Sequence, residues 1–263
     1  MLFVVDIGNT DICLSLFQGR EILRIGRIRT HQPKAVEKCL KWVLKVVQAE
    51  DFPFSEIENT IISCVVPTLL TPFKEACVKV FSKEPLVLGE VSAPFPILSL
   101  IDQPGEEGTD LMANAYAAHM LYQGPLLVVD FGTATTLSLI DQQGNFCGTV
   151  IAPGVHLSLQ ALSLNAAKLP EVSIKKPKQI MGTNTVDSIQ SGIFWGYVSM
   201  IEGLIHRIKK ENFRNLLQGK FEIVATGGLS SLIVPSCSMI THVEPHLTLR
   251  GIAFIYESLF ERK

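Results

Sequence analysis

Several features that would assign a function quickly are missing from this chain. Neither sign of charge dominates: 23 Lys and Arg stand against 25 Asp and Glu over 263 residues, a net charge of −2. That balance argues against a global basic footprint for nucleic acid or an acidic membrane surface. Charged residues are scarce at 18% while hydrophobic ones reach 47%, which excludes disorder and fits a well-buried globule. No apolar run approaches the roughly 18–20 residues of a membrane helix. The N-terminus has no basic region, and its apolar stretch stops at Asp6, so neither a signal peptide nor a membrane partner is expected. The six cysteines (13, 39, 64, 77, 147 and 237) never fall as CxxC and lie mostly in apolar runs. Buried, reduced thiols in a cytoplasmic protein are the expectation.

Familiar catalytic signatures are also absent. There is no GxxxxGK[ST], since Gly219-Lys220 is followed by Phe221, and no GxGxxG follows a strand pattern. A P-loop is excluded and a dinucleotide-binding Rossmann unit is disfavoured. The histidines (31, 119, 156, 206, 242 and 246) form no HExxH and no zinc spacing with cysteine. A short basic cluster at 206–210 is explained by dipole complementarity near a helix end.

What is present is a repeat. Residues 2–8 read LFVVDIG and residues 126–132 read LLVVDFG, identical at five of seven positions. Each copy opens a strand–turn–strand–turn–strand pattern, 12–17 and 22–28 in the first, 137–140 and 146–151 in the second. Helical periodicity follows at 33–48, with Pro33 suited to a first turn, then at 68–81, 110–122, 186–213 and 248–260. Strand-like runs lie at 60–66 and 223–225. Trp42 and Trp195 fall on helical patterns and are expected in a core or interface. The pattern predicts an α/β protein of two duplicated halves, 1–123 and 124–263, each a mixed sheet with flanking helices.

Both repeats end a buried strand in a carboxylate, then glycine, then hydroxyl or amide side chains: Asp6-Ile7-Gly8-Asn9-Thr10 and Asp130-Phe131-Gly132-Thr133. Glycine lets backbone N–H groups approach an anion, and Asn or Thr adds neutral donors. The carboxylate needs a cation between itself and a phosphate, most naturally Mg²⁺ with its waters. Either loop alone is also ordinary turn chemistry; two of them facing one cleft would grip the phosphates of a nucleotide. Thr226-Gly227-Gly228 offers a further close backbone approach, to a ribose or purine, or is simply a strand-to-helix turn. Gly108-Thr109-Asp110 opens a helix, where Asp110 is either a first-turn capping residue or a general base beside an acceptor hydroxyl.

Taken together, DIGNT at 6–10, SCVVP at 63–67, GTD and ANAYAA within 108–118 and VVDFGTATT at 128–136 resemble the type III pantothenate kinases. APG at 152–154, NTVDSIQSG at 184–192, ATGG at 225–228 and LTLRGI at 247–252 complete the resemblance. That family lies in the acetate/sugar kinase–Hsp70–actin superfamily, which implies ribonuclease H-like, actin-like halves. It also implies ATP-dependent phosphorylation of pantothenate to 4′-phosphopantothenate, the first step of coenzyme A synthesis, by a homodimer using a divalent cation and K⁺ or NH₄⁺. By the same resemblance Asp6, Ile7, Gly8, Asn9, Thr10, Asp11, Ile12 and Cys13 form the first phosphate loop, with Asp6 holding Mg²⁺ through water. Thr133, Gly227 and Gly228 meet the nucleotide, and Asp130 holds the monovalent cation. Asp110 is the proton acceptor, and Gly108, Thr109, Asp110, Leu111, Ile101 and Thr185 meet the substrate, Thr185 across the dimer interface. Ile101 and Leu111 depart from the family pattern, which has Tyr and Arg there. The departure leaves room for another hydroxylated acceptor, or for a catalytically impaired nucleotide-binding homologue.

Overall fold

A computed structural model describes residues 1–49, 56–166, 169–212 and 220–260. The chain divides into two compact units: Met1–Met120 together with the segment from Leu247 onward, and Leu121–His246. The expected boundary at 123/124 lies close to this division, but the terminal helix belongs with the first unit rather than with the strands that precede it.

In the first unit β1 (Leu2–Ile7), β2 (Asp11–Gln18), β3 (Glu21–Arg29), β4 (Asn59–Cys64) and β5 (Leu86–Val87) form a sheet of order β3-β2-β1-β4-β5. β1 runs antiparallel to β2 and parallel to β4. It is apolar on both faces because both are covered, as a central strand requires. One face meets α1 (Ala35–Ala49) and α2 (Pro67–Phe81), burying Phe3, Val5, Ile7, Val43 and Phe73. The other meets α7 (Leu247–Ser258), where Leu2, Val4, Ile61, Leu249 and Ile252 are buried together. α3 (Thr109–Tyr122) crosses α7 closely: a Cβ on Gly251 would strike the Ala113 carbonyl, and Thr248 and Asn114 are hydrogen-bonded at 2.8 Å. The small residues of ANAYAA and the glycine of LTLRGI therefore have a packing cause.

The second unit repeats the plan. β6 (Leu126–Phe131), β7 (Ala134–Ile140), β8 (Phe146–Pro153), β9 (Glu222–Thr226) and β10 (His242–Val243) are ordered β8-β7-β6-β9-β10. The central β6 is again antiparallel to the strand after it and parallel to β9. α4 (Val155–Asn165) and α5 (Thr185–Asn212) occupy the place that α1 holds alone in the first unit, and α6 (Ser230–Ile233) follows β9. Phe194, Ile201 and Ile205 of α5 are buried with Leu127, Val129 and Ile223.

Three expectations need correction or restriction. α1 starts at Ala35 rather than Pro33, because Lys34 has φ +59° and a left-handed residue cannot continue a right-handed helix. α4 was not anticipated: of its apolar residues only Val155 is buried, so no core-facing stripe marks it in the sequence. The expected helix 186–213 is α5, and its Phe213 lies outside the described residues. All six cysteines are free thiols, buried or half-buried. Among the described residues, no helix is long and apolar enough to cross a membrane.

Candidate active site

The first mouth is built where β1 hands over to β2. Asp6 is the only β1 residue whose burial is incomplete after the initial strand of core side chains, and its register partners are Cys13 on β2 and Ser63 on β4. Paired residues of neighbouring strands share a face, so Asp6, Cys13 and Ser63 form one row, which Arg27 of β3 extends opposite Cys13. Residues 8–11 link the paired Ile7 and Ile12. Gly8 donates its N–H to the Asp11 carbonyl at 3.1 Å, while Asn9 and Thr10 are exposed at the tip. Ile7 and Ile12 are fully buried, so only their backbone can reach a ligand. Asp11 lies 3.7 Å from Arg27 and 3.5 Å from Arg29, which commits its carboxylate to β3. The Cys13 thiol is pushed up to about 11, first by burial and then by the Asp6 carboxylate, so it remains a thiol. Burial likewise raises the Cys64 thiol.

The row continues to α3. Ser63 is fully buried, and its Oγ lies 3.0 Å from Thr109 Oγ1, the hydroxyl of the first residue of the helix. Gly108 stands at the N-cap, its carbonyl receiving the Leu111 and Met112 amides. Asp110 Oδ1 accepts the Leu111 N–H at 2.9 Å. Asp110 thus stands in the first turn and satisfies one of its amides, while the N-cap position expected for Thr109 or Asp110 falls to Gly108. The Asp110 carboxyl is nevertheless pushed above the ordinary carboxylate range by burial. A carboxylate made more basic in this way is suited to accept a proton near neutral pH. Gly108, Thr109, Asp110 and Leu111 are all half-buried; Ile101, also half-buried, lies in the loop before them.

The second mouth, in the other unit, follows the same plan with different chemistry. Asp130 is paired with Thr136 on β7 and Thr226 on β9, so two hydroxyl-bearing neighbours flank it. Residues 132–134 link Phe131 to Thr135, one residue fewer than in the first mouth. Gly132 and Thr133 are exposed. Gly227 has φ +89°, and a Cβ there would sit 2.5 Å from Asp130 Oδ1; a Cβ on Gly132 would come within 3.4 Å of the same oxygen. Two glycines thus form a cradle around one carboxylate oxygen, and side chains would fill it. Gly154 closes the mouth from the end of β8: a Cβ there would collide with the Thr133 carbonyl and lie 2.7 Å from that of Gly132. Ser230 donates its hydroxyl to the Gly227 carbonyl at 2.7 Å, fixing the turn that carries the exposed Gly228. Thr185 stands on a different element, exposed at the start of α5, whose N-cap is Asn184: its Oδ1 accepts the Asp187 N–H at 3.0 Å.

Sequence reasoning missed Thr30, Ser63 as a hydrogen-bonding residue, and Gly154 as a wall of the second mouth. Ser63 and Gly154 lay inside motifs already noted. Thr30 lay in none, and only the ladder of β2 and β3 brings it to Gly8.

The chain matches the model of the type III pantothenate kinases over residues 2–207. It is 41% identical to the type III pantothenate kinase of Paramagnetospirillum magneticum, covering 97% of this chain and 96% of that one. The Rhodospirillum rubrum type III pantothenate kinase is 38% identical, with 97% and 98% covered. Among solved structures, a conserved Baf family protein from Campylobacter jejuni superposes with a TM-score of 0.58 at 18% identity, covering 98% of this chain and 99% of that one. Component A of (R)-2-hydroxyglutaryl-CoA dehydratase from Acidaminococcus fermentans gives 0.52 at 11%, with 99% and 100% covered. These two likenesses speak for the fold alone, that of duplicated actin-like halves. By its family match and by the identity it shares with full-length relatives, the chain belongs to the type III pantothenate kinase family.

Proposed function

We propose that this chain transfers the γ-phosphoryl group of ATP to the hydroxyl of pantothenate, giving 4′-phosphopantothenate and ADP in the first step of coenzyme A synthesis. What carries the reading is the setting of Asp110: a carboxyl made more basic by burial, at the start of a helix whose first hydroxyl is tied to the row that holds Asp6. Asp110 accepts the acceptor hydroxyl's proton as that oxygen bonds to the γ-phosphorus and the bond to the ADP oxygen breaks. Each glycine mouth, taken by itself, offers backbone N–H groups suited to phosphate oxygens, at little cost in reorganisation because the strands of its own sheet fix them beforehand. Gly108, Thr109, Leu111 and Ile101 border the acceptor, and Thr133, Gly227 and Gly228 the nucleotide.

The residues present fit the cations of the family. Among the described residues there is no cluster of three or more His, Cys, Asp or Glu able to cage a metal. A single hard carboxylate, Asp6, suits Mg²⁺, which keeps its waters and is carried largely by phosphate. Gly132 and Gly227 keep side chains away from Asp130 Oδ1, and a carboxylate oxygen of this kind suits a larger, weakly hydrated ion such as K⁺ or NH₄⁺. When bound, these cations would offset the charge on the phosphates.

A homodimer is part of the proposal. Ile151, Leu157, Leu164, Ile180, Met181 and Val186 are exposed apolar residues on β8, on α4, before α5 and in its first turn, and apolar surface of this kind suits a protein partner. Thr185 lies beside Val186, where a partner would bring it to a substrate. A cytoplasmic setting accords with six free thiols and an ATP-dependent reaction.

Ile101 and Leu111 support a second reading, in which the acceptor is a different hydroxylated molecule or turnover is lost, because neither offers a polar handle to an anionic substrate. A coupled ADP assay, with and without pantothenate and K⁺, decides between them. Pantothenate-dependent ADP release abolished in Asp110→Asn supports the first reading. Turnover only with another alcohol, or nucleotide binding without turnover, overturns it. Light scattering on the purified protein tests the dimer.

A further inference from the structure

Thr30 follows the last residue of β3 and is only 3% exposed, yet it carries a polar side chain. Its hydroxyl donates to the Gly8 carbonyl at 2.6 Å, and its backbone N–H donates to the Thr10 carbonyl at 3.0 Å. One residue therefore holds two alternate carbonyls of the first glycine mouth. A trans peptide unit is planar, with its C=O and N–H pointing in opposite directions. Drawing the Gly8 carbonyl toward Thr30 turns the Asn9 N–H away from it, and drawing in the Thr10 carbonyl does the same for the Asp11 N–H. Both amides are thereby aimed to the side of the loop away from Thr30, beside an exposed tip formed by Asn9 and Thr10. The Gly8 N–H is already committed to Asp11 within the turn. What remains to be fixed is the orientation of the Asn9 and Asp11 donors, and Thr30 fixes it.

We infer that Thr30 is the positioning residue of the first phosphate loop: it pre-sets the Asn9 and Asp11 amides for the nucleotide's phosphates without itself touching the ligand. The inference rests on the kinase reading above and adds to it the residue that sets nucleotide affinity in the first unit. Preorganised donors bind an anion without an ordering cost at the moment of binding. Without the hydroxyl, the half-buried Gly8 carbonyl loses its donor and the peptide is free to turn, so nucleotide binding weakens while the acceptor side is untouched.

The test compares steady-state kinetics of the full-length wild type, Thr30→Val and Thr30→Ser. Valine keeps the branched shape and the backbone N–H but removes the donor; serine keeps the donor. The valine variant is expected to raise the KM for ATP about tenfold, the scale of one lost buried hydrogen bond, with the KM for pantothenate unchanged. Serine is expected to restore the wild-type value, and the circular dichroism spectra to superimpose. A wild-type KM for ATP in Thr30→Val overturns the inference, as does an equal rise in both KM values or a serine variant as impaired as valine. Thr30→Ala, which removes the same donor without the second methyl, takes the place of valine if valine does not fold. If the wild type shows no pantothenate-dependent turnover, the acceptor assignment fails by itself. The dissociation constant of a non-hydrolysable magnesium–ATP analogue is then compared across the same variants: about tenfold weaker for valine and restored by serine supports Thr30, and equal values overturn it.

Discussion

The two mouths share a topology but are fastened by opposite means. Thr30 and Gly154 each lie 24 residues beyond the aspartate of their own mouth, at the end of the third strand of their own sheet. In the first unit that position holds the loop through two donated hydrogen bonds; in the second it holds the loop by having no side chain at all. The third strand's end must meet the loop in both sheets, because the order of strands brings it there. How it meets the loop is left to the local residues. A second contrast concerns the helix after the fifth strand. α3 opens with Thr109-Asp110 and a carboxyl made more basic by burial, whereas α7 opens with Leu247-Thr248-Leu249, whose leucines are buried in the core. Duplication left two carboxylate–glycine mouths, but an acidic residue in the first turn of the following helix only in α3.

The sharpest way to break that contrast is Asp110→Asn. If the base resides only at the start of α3, kcat falls by about 10²–10⁴-fold in the coupled assay. Activity within a few-fold of wild type would dissolve the asymmetry. The wild-type kcat/KM should decline on the acid side at a pH above the ordinary carboxylate value, because burial raises this group. A carboxyl whose pKa is raised by folding favours the folded state only at pH below its unfolded value, and that advantage is lost as pH rises through the folded one. At neutral pH the ionised Asp110 therefore costs stability. Asp110→Asn should melt higher than wild type at pH 7, with the gap closing toward pH values below about 4.

Leu111→Arg sharpens the contrast by asking whether the acceptor belongs to the first unit. A guanidinium there should lower the KM for pantothenate by about 10- to 100-fold, as a charge-assisted bond implies, and leave the KM for ATP alone. An unchanged or higher KM for pantothenate removes Leu111 from the acceptor site.

The smallest expected effect concerns how the mouths are closed. Gly154→Ala places a methyl against two backbone carbonyls and should cost about 1–3 kcal/mol by thermal melting. Gly8→Ala meets only the Asp11 carbonyl, at 3.0 Å, and should cost less. Equal losses would mean that the second mouth relaxes as easily as the first.

Much of this was legible before any coordinates. The two aspartate-ended strands, their hairpins and the helix opened by Asp110 are local patterns, and β2, β3, β7 and β8 appear where alternation and turn residues put them. β5 and β10 were not legible, since two residues carry no periodicity and only pairing with β4 and β9 reveals them. α4 was hidden because its apolar side chains are largely exposed.

Sequence by itself determined the duplication, the carboxylate–glycine mouths and the family, because each is written in contiguous residues whose spacing fixes a turn or a strand end. Only the tertiary structure decided that Thr30 holds Gly8, that Ser63 meets Thr109, that Gly154 and Gly227 wall in the second mouth, and that the last helix returns to the first sheet. Those four facts join residues between about 20 and 250 positions apart, and such contacts are set by strand order and close packing rather than by any local preference of the chain.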